Sequence, residues 1–406
     1  MKKILQKITY AKAVYGKEEI AAVNRILKDP LHLGAGAYIK KFEKAVAALF
    51  GKKHGIMTNS GSSANLLGIE SLHLEPGSEV ITPVLTFSTT IAPLLQKGLK
   101  PVFVDVMPGT FVIDAGKVEA AITEKTRALM VPLLLGNVPD MIKLRAIAKK
   151  HNLFFIEDSC DTVGAKFDGK PTGTYSDIST TSFYASHIIT AAGSGGMVMA
   201  HDDARAHELL VKSCWGRDST LFGVNEKSED IKKRFAGKVE GEPYDAKFVF
   251  SQIGYNMQSG ELNAAFGLEQ LKRLKTFGAA RKHNFKRLYK FFGTYPEWFT
   301  LPLSDKRVDT VWLAFPLTLK KNAPFSRMDI TRHLEEHNIQ TRPIFTGNIL
   351  RQPGFHDLSK DTNPDQFPVA DDVMQNGFLI GCHHGLTAKQ LDYIEAVLKE
   401  FLKKYR

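Results

Sequence analysis

The stretch from residue 55 to residue 200 alternates short apolar runs with amphipathic segments, and this alternation limits the possible folds more than any other feature. The runs typical of buried strands are HGIMTNS, EVITPV, KPVFVDV, ALMVPLLL, LFFIED and GGMVMA. Strands that alternate with helices usually form a mostly parallel sheet, because a helix makes each parallel crossover. We therefore predict an α/β protein whose ligands bind beyond the carboxyl ends of the strands.

The chain of 406 residues is longer than a single hydrophobic core usually organises. We predict a large domain at residues 1–280, with an N-terminal arm, and a smaller α/β domain at residues 281–406. Residues 215–250 are polar and charged, which predicts a long excursion from the core. The apolar spacing of ELNAAFGLEQLKRLKTF, residues 261–277, predicts a long helix that leads into the second domain.

Three further segments of the second domain have recognisable patterns. TVWLAFPLTL predicts a strand, MDITRHLEEHNI predicts a helix opened by Asp329, and TAKQLDYIEAVLKEFLKKY predicts an amphipathic terminal helix.

The formal net charge of +11 favours anionic partners. The lysines form scattered short clusters, without the dense basic run or the interleaved aromatic residues of a nucleic-acid-binding face. We therefore expect a solvated basic surface and a phosphorylated substrate, and no nucleic-acid or membrane partner.

Three widely spaced cysteines, Cys160, Cys214 and Cys382, do not make a disulfide framework and suit a reducing compartment. The first residues, MKKILQKITYAKAVYG, lack the apolar core of a secretory leader, and no run of about 18 apolar residues occurs. A cytoplasmic enzyme is the expectation that follows.

TNSGSSANLLGIESL, residues 58–72, places small polar residues between a predicted strand and a predicted helix. The first turn of a helix presents free backbone amides that can bind a phosphate. A plain serine N-cap explains the same pattern equally well. Both interpretations stay open on this segment alone.

FFIEDSCDTVGA ends a predicted buried strand with Asp158 and adds Asp161 three residues later. A carboxylate at this place often only caps the next element. It can also hold a protonated pyridine nitrogen, which a pyridoxal phosphate site requires.

SFYASHIITAAGSGG, residues 182–196, combines Ser182 with His187 and a glycine-rich turn. The serine can donate to a phosphate. An isolated histidine is more often structural than catalytic, yet an imidazole is also the best general base near neutral pH.

Several ordered segments together resemble the pyridoxal-phosphate-dependent sugar aminotransferases of the DegT/DnrJ/EryC1/StrS family. They are NSGSSANL, EVITPVLTFSTT, PVFVDV, IEDSCDTVGA, SFYASH with its later GG, and GYNMQSGELNAAFGLEQL. The resemblance runs from AVYGKEEIAAVNRIL to FLIGCHHGLT. It implies a fold type I enzyme, similar to aspartate aminotransferase, that forms a homodimer with shared active sites.

The resemblance also implies roles for individual residues. Gly61, Ser62, Ser63 and Ser182 would hold the cofactor phosphate, Phe87 would stack on the cofactor ring, and Asp158 would pair with the pyridine nitrogen, with Asp161 nearby. Asn256 would reach the site from the partner subunit.

The family's aminotransferases carry a lysine where this chain has His187, and no lysine occurs between Lys170 and Lys212. An imidazole cannot form a Schiff base with the cofactor, so the cofactor would be held without a covalent bond. The same exchange marks the family's 3-dehydratases, which act on nucleotide-linked 4-keto-6-deoxyhexoses.

One kind of 3-dehydratase binds a 2Fe-2S cluster through four cysteines. A chain with three cysteines cannot supply four ligands, so we expect the cluster-free kind and no metal in the site. The resemblance then implies that pyridoxamine phosphate, regenerated by glutamate, removes the C3 hydroxyl of the sugar, with His187 moving the proton.

Two other functions stay open. The chain can be an aminotransferase that works without the lysine, or a non-catalytic homologue that binds sugar nucleotides. The sequence also leaves the nucleotide, the sugar stereochemistry and the effect of GSGG replacing the family's GEGG undecided. It does not decide the roles of Arg217, Arg342, His383 and His384 either.

Overall fold

Seven strands between residues 54 and 200 form one mixed sheet. This computed structural model describes residues 6–29, 33–223 and 229–406. In chain order the strands of the sheet are β1 (His54–Thr58), β2 (Glu79–Pro83), β3 (Lys100–Val104), β4 (Thr126–Pro132), β5 (Phe154–Asp158), β8 (Ile178–Ser182) and β9 (Gly196–Ala200). The short strands β6 (Lys166–Phe167) and β7 (Lys170–Pro171) lie outside it.

The strand order is β1-β9-β8-β5-β4-β2-β3. The five strands β8, β5, β4, β2 and β3 are parallel to one another, and β9 is antiparallel to both of its neighbours. The prediction of an α/β protein with a mostly parallel sheet is therefore confirmed. All six predicted apolar runs contain a strand of this sheet.

The strand that the apolar pattern did not reveal is β8. Its inner residues Ser179, Thr180 and Thr181 are fully buried although they are polar. Each hydroxyl has a partner: Ser179 donates to Glu157 Oε2 at 3.2 Å, Thr180 to Asn65 Oδ1 at 2.6 Å and Thr181 to the Ser159 carbonyl at 2.9 Å. Hydrogen bonds offset the cost of burying these groups, so a central strand can be polar.

Eleven α-helices lie in the described parts of the chain, and several of them cover the sheets. They are α1 (Lys17–Leu27), α2 (Ala37–Leu49), α3 (Gly61–Glu70), α4 (Ser88–Gln96), α5 (Met141–Lys150), α6 (Asp203–Ser213), α7 (Ile231–Arg234), α8 (Glu261–Phe292), α9 (Arg327–Glu336), α10 (Pro368–Asn376) and α11 (Ala388–Leu402). Helix α8 contains the predicted 261–277 helix and continues 15 residues further. It packs against α1 and α2.

A second, antiparallel sheet lies in the C-terminal part of the chain. Its order is β12 (Phe299–Thr300), β14 (Phe315–Leu319), β16 (Gly377–Ile380) and β15 (Thr341–Arg342). β13 (Val308–Asp309) pairs instead with β6. The strand predicted in TVWLAFPLTL is thus limited to its second half. The proposed domain division at residue 280 falls inside α8 and stays a prediction.

Helix α9 begins earlier than predicted. Ser326 is its N-cap and accepts a hydrogen bond from the Asp329 amide at 3.2 Å, while the Asp329 carboxylate accepts one from the Ser326 amide at 2.8 Å. This reciprocal capping box satisfies two backbone donors. Asp329 is therefore the third residue of the helix and not its opening residue.

The excursion at residues 215–250 is largely exposed, and residues 224–228 lie outside the described ranges. It contains α7 and the hairpin of β10 (Gly237–Val239) and β11 (Glu242–Tyr244). In the described parts of the chain, no helix combines the length and apolar character needed to cross a membrane.

A large cluster of buried side chains joins the two sheets. Val84 and Leu85, just after β2, pack in one cluster with Phe292 of α8, Phe315 of β14 and Phe378 of β16. This shared core fixes the carboxyl end of the first sheet against the second sheet, which is where the candidate site lies.

Candidate active site

A cavity of about 460 Å³ lies between the carboxyl ends of the parallel strands and the C-terminal sheet. Its floor carries polar groups from three loops of the first sheet, and its other wall is mostly apolar. The predicted residues that line it are Gly61, Ser62, Phe87, Asp158, Asp161, Ser182 and His187. The position agrees with the expectation for a parallel sheet.

The first turn of α3 forms one end of the cavity. Ser60 is the N-cap and accepts a hydrogen bond from the Ser63 amide at 3.1 Å. A Cβ atom on Gly61 would lie 2.6 Å from Cys160 Sγ and 2.7 Å from Ser182 Cβ, so only glycine fits there without a shift. The motif therefore forms an N-cap and also brings the first turn of α3 to the cavity, where Ser60, Gly61 and Ser62 line it.

The Ser63 side chain belongs to the cap. Its hydroxyl donates to Asn59 Oδ1 at 2.6 Å, and Ser63 is absent from the described lining of the cavity. Ser182, at the end of β8, does line it and accepts a hydrogen bond from the Tyr184 amide at 3.3 Å. The predicted phosphate contacts thus divide into two groups, with Ser62 and Ser182 facing the cavity and Ser63 holding the helix end.

Asp158 ends β5 and is 5% exposed. Its Oδ2 accepts hydrogen bonds from Asn65 Nδ2 at 2.9 Å and Thr90 Oγ1 at 2.8 Å, and its Oδ1 accepts one from the Cys160 amide at 3.2 Å. A carboxylate offers about four acceptor positions. One position at Oδ1 is left for a donor in the cavity, such as a protonated ring nitrogen.

Asp161 is buried beside Asp158. Its Oδ2 accepts a hydrogen bond from the Leu135 amide at 2.9 Å. Burial, assisted by the negative charge of Asp158, raises the pKa of Asp161 to about 7. Asp161 is therefore poised to exchange a proton near neutral pH.

His187 lies in the turn between β8 and β9, with its Nδ1 atom 3.8 Å from Asp161 Oδ1. This distance is too long for a hydrogen bond, and Nδ1 is buried without a partner among the described residues. Burial, and secondly the charge of Arg281, lower the pKa of His187 to about 4. The imidazole is thus neutral at pH 7 and able to accept a proton.

Arg281 of α8 is a buried cation that no sequence motif indicates. It is 1% exposed and donates to the Leu313 carbonyl at 2.9 Å and to His384 Nδ1 at 3.1 Å. Its Nη2 has no partner in the described parts of the chain. No local pattern marks it, because it lies 94 residues from His187 and only the fold brings its charge close.

The two histidines of GCHH lie beside Arg281 and outside the cavity lining. Burial and the Arg281 charge lower the pKa of His383 to about 4 and that of His384 to about 3. His383 Nε2 contacts the Thr9 carbonyl at 3.0 Å, and the His384 ring stacks on Phe277 at 3.8 Å. Both contacts are structural and involve neutral rings.

Phe87 and Arg342 line the cavity entrance. Phe87 is 50% exposed and meets Phe345 edge to face, with ring centroids 5.9 Å apart. Arg342 lies over the Tyr10 ring at 5.1 Å. An exposed aromatic face and a cation at the entrance suit a flat ring and a phosphorylated ligand.

Asn256 and Arg217 lie away from this cavity. Asn256 is exposed and pairs through its backbone with Cys214. Arg217 lines a different cavity of about 540 Å³ and stacks on Trp215 at 4.4 Å. The family resemblance implies that Asn256 reaches the active site of a partner subunit. This role stays a prediction.

The GSGG loop packs against the start of α3. Ser194 donates its hydroxyl to the Asn59 carbonyl at 2.7 Å. A Cβ atom on Gly196 would lie 2.3 Å from the Ser60 carbonyl carbon. The loop therefore packs closely against the residues that precede α3.

Comparison with known proteins finds similarity over almost the whole chain. A sequence model of the DegT/DnrJ/EryC1/StrS aminotransferase family matches residues 14–399. The dTDP-4-dehydro-2,6-dideoxy-D-glucose 3-dehydratase of Saccharopolyspora spinosa is 38% identical over 398 residues, which are 95% of this chain and 84% of that protein. The GDP-4-keto-6-deoxy-D-mannose 3-dehydratase of Yersinia pseudotuberculosis is 32% identical and is covered completely, with 98% of this chain aligned.

A crystal structure of GDP-4-keto-6-deoxymannose-3-dehydratase with a trapped PLP-glutamate geminal diamine superposes with a TM-score of 0.83. The two chains are 29% identical, and the match covers 97% of this chain and 100% of that one. Relatives of another activity also match: the GDP-perosamine synthase of Caulobacter vibrioides is 30% identical over 367 residues, 90% of this chain and 91% of that protein.

Proposed function

This chain belongs to the DegT/DnrJ/EryC1/StrS aminotransferase family, and from that membership and the cavity we propose that it is a 3-dehydratase of a nucleotide-linked 4-keto-6-deoxyhexose. Its cofactor is pyridoxal 5′-phosphate, used in the aminated form. The observation that carries the proposal is a histidine with a lowered pKa and a buried Nδ1 atom in the cavity, at the position where the family resemblance implies a lysine. Among the described residues, no lysine lines the cavity.

The residues present fit such a cofactor. Ser62 and Ser182 line the cavity at the N-terminal end of α3, where backbone amides can bind a phosphate, and Asp158 retains an acceptor position for the pyridine nitrogen. Phe87 offers an exposed aromatic face. These residues would bind the phosphate, ring nitrogen and ring face respectively.

When bound, the aminated cofactor supplies an amine for the C4 ketone of the sugar and an electron sink for breaking the C3–O bond. His187 supplies the proton transfer that this chemistry needs. Its neutral imidazole accepts a proton and delivers it to the departing C3 oxygen as a general acid. Asp161, at 3.8 Å, would stabilise the imidazolium between these two events.

The absence of a lysine from the cavity favours this reaction over amine transfer, because a lysine amine competes for the cofactor aldehyde. Glutamate would restore the amine. The overall change is then balanced: one 4-keto-6-deoxyhexose and one glutamate give one 4-keto-3,6-dideoxyhexose, one ammonia and one 2-oxoglutarate.

The test is mass spectrometry of the nucleotide sugar after incubation with pyridoxal phosphate, glutamate and a 4-keto-6-deoxyhexose linked to dTDP, GDP or CDP. A product lighter by one oxygen, with ammonia and 2-oxoglutarate in equal amounts, is the expected result, and comparison of the three substrates ranks the nucleotides. A product with an amine in place of the ketone would instead support an aminotransferase. The similarity to GDP-perosamine synthase makes this the main alternative. An unchanged sugar with tight binding would indicate a non-catalytic homologue.

We also infer that the enzyme is a homodimer whose sites combine His187 of one subunit with Asn256 of the other. Mixing the separately inactive variants His187→Asn and Asn256→Ala, after subunit exchange, tests this. Shared sites would regain activity, because each hybrid dimer holds one site with both native residues. Sites built from single chains would stay inactive in the mixture.

A further inference from the structure

One histidine of α9, the histidine that caps the C-terminus of this helix and one glutamate of α11 lie close together outside the candidate active site. His333 belongs to α9, His337 is the C-cap one turn later, and their rings lie 4.3 Å apart. A ligand atom from each, together with a carboxylate oxygen of Glu400, all lie within 4.8 Å of one another. None of the three lines the cavity described above.

The hydrogen bonds of the two rings fix which nitrogens are free. His333 Nε2 lies 3.3 Å from the Val397 carbonyl, and His337 Nδ1 lies 2.7 Å from the His333 carbonyl. A carbonyl oxygen only accepts, so these two nitrogens carry the protons in the neutral rings. His333 Nδ1 and His337 Nε2 are left with lone pairs. A backbone carbonyl that orients the second ring nitrogen in this way is typical of metal-binding histidines.

The surroundings hold the His333 ring in place. His333 is mostly buried against Phe401, with ring centroids 5.1 Å apart, and its ring also packs against that of His337. Lys404 is the nearby cation that opposes a metal charge, and its amine lies over the Phe401 ring at 6.0 Å.

We propose that His333, His337 and Glu400 bind a divalent first-row transition-metal ion, with Zn²⁺ as the representative. Two imidazole nitrogens and one carboxylate oxygen are ligands that Zn²⁺ prefers. The three ligand atoms lie within 4.8 Å of one another, so a metal bound at about 2 Å requires them to move closer together, and the exposed Glu400 carboxylate can rotate towards the two rings. The ion would connect α9 to α11 and stabilise the C-terminal part of the fold.

The experiment uses the full chain with its cofactor, free of any polyhistidine tag and stripped of metal with a chelator. Zn²⁺ is titrated calorimetrically, and bound zinc is counted after desalting. We expect one tight Zn²⁺ per chain and a rise in melting temperature, and no effect of Mg²⁺, which prefers oxygen ligands.

His337→Gln and Glu400→Gln are the test variants, because both positions are less buried than His333 and retain the helix. Each should weaken Zn²⁺ binding by about tenfold or more and remove the melting shift, while activity in the sugar assay is unchanged. The exposed His356 gives the matched control, since His356→Gln should bind zinc like the parent. Zinc bound with equal affinity by the parent and by both test variants, or no bound zinc in the parent, would overturn the proposal.

Discussion

The Nδ1 atom of His187 lies 3.8 Å from Oδ1 of Asp161, and both side chains line one cavity, where they are 14% and 9% exposed. Burial moves the two pKa values in opposite directions, to about 4 for the imidazole and about 7 for the carboxyl. At neutral pH the imidazole is therefore uncharged, whereas the carboxyl is close to half ionised. The imidazole is free to accept a proton, and an ionised Asp161 would stabilise the imidazolium before it acts as an acid.

Replacing His187 by Asn should abolish loss of the C3 hydroxyl while leaving the cofactor bound, because Asn keeps the polarity of the position but cannot carry a proton. Cofactor binding is measured by absorbance after gel filtration, and turnover by mass spectrometry of the sugar. General acid–base catalysis contributes a factor of about 10² to 10⁴, so residual activity should fall by at least that amount. Dehydration at the parent rate in this variant would contradict the assignment of His187.

His187→Lys should attach the cofactor covalently, because the new amine would lie in the cavity that holds the cofactor aldehyde. Borohydride reduction followed by intact-mass measurement should then show a cofactor adduct that the parent lacks. His187→Gln is the control, since it changes the same side chain without adding an amine. A lysine variant that yields no adduct, although it binds pyridoxal phosphate, would mean that position 187 does not face the cofactor aldehyde.

Asp161→Asn should change how stability depends on pH. A carboxyl whose pKa is about 7 in the folded chain and about 3.8 in its unfolded form binds its proton more tightly when folded. The carboxyl thus stabilises the fold below pH 4, and this contribution is lost as pH rises towards 7. The loss is up to about 4 kcal/mol, at 1.36 kcal/mol per pKa unit.

The measurement is urea unfolding of the cofactor-free protein between pH 4 and pH 8. The unfolding free energy of the parent should fall with rising pH relative to that of Asp161→Asn, and the difference should level off above about pH 7. Parallel pH curves for the two proteins would show that the carboxyl is not perturbed.

Gly61→Ala should weaken cofactor binding and destabilise the fold. The added Cβ would overlap Cys160 Sγ and Ser182 Cβ, so the start of α3 must shift away from β5 and β8. Overpacking of this kind costs about 1–3 kcal/mol. The apparent Kd for pyridoxal phosphate and the melting temperature report the two effects.

Gly354→Ala provides the matched control, because a Cβ atom at that position has no neighbour within 4 Å. It should leave both quantities near the parent values. Equal behaviour of the two alanine variants would contradict the close approach at Gly61.

Much of the site could be predicted from local sequence. The apolar runs located six of the seven strands, since buried parallel strands are continuously hydrophobic and short. The same runs placed Asp158 at a strand end, and the small polar residues before α3 predicted a serine N-cap or a phosphate site, of which the structure shows the cap at Ser60. That His187 replaces lysine chemistry stays a prediction.

The sequence by itself therefore determined the fold class, the family and the identity of the groups that reach the cavity. The tertiary structure decided how those groups interact: β8 is polar and was not predicted, because its hydroxyls are satisfied by partners such as Asn65, 115 residues away. It also decided that the Ser63 hydroxyl bonds to Asn59 and that the Arg281 charge acts on His187. Periodicity records which side chains are apolar, whereas hydrogen bonds and charges between distant segments depend on distances that only the folded chain sets.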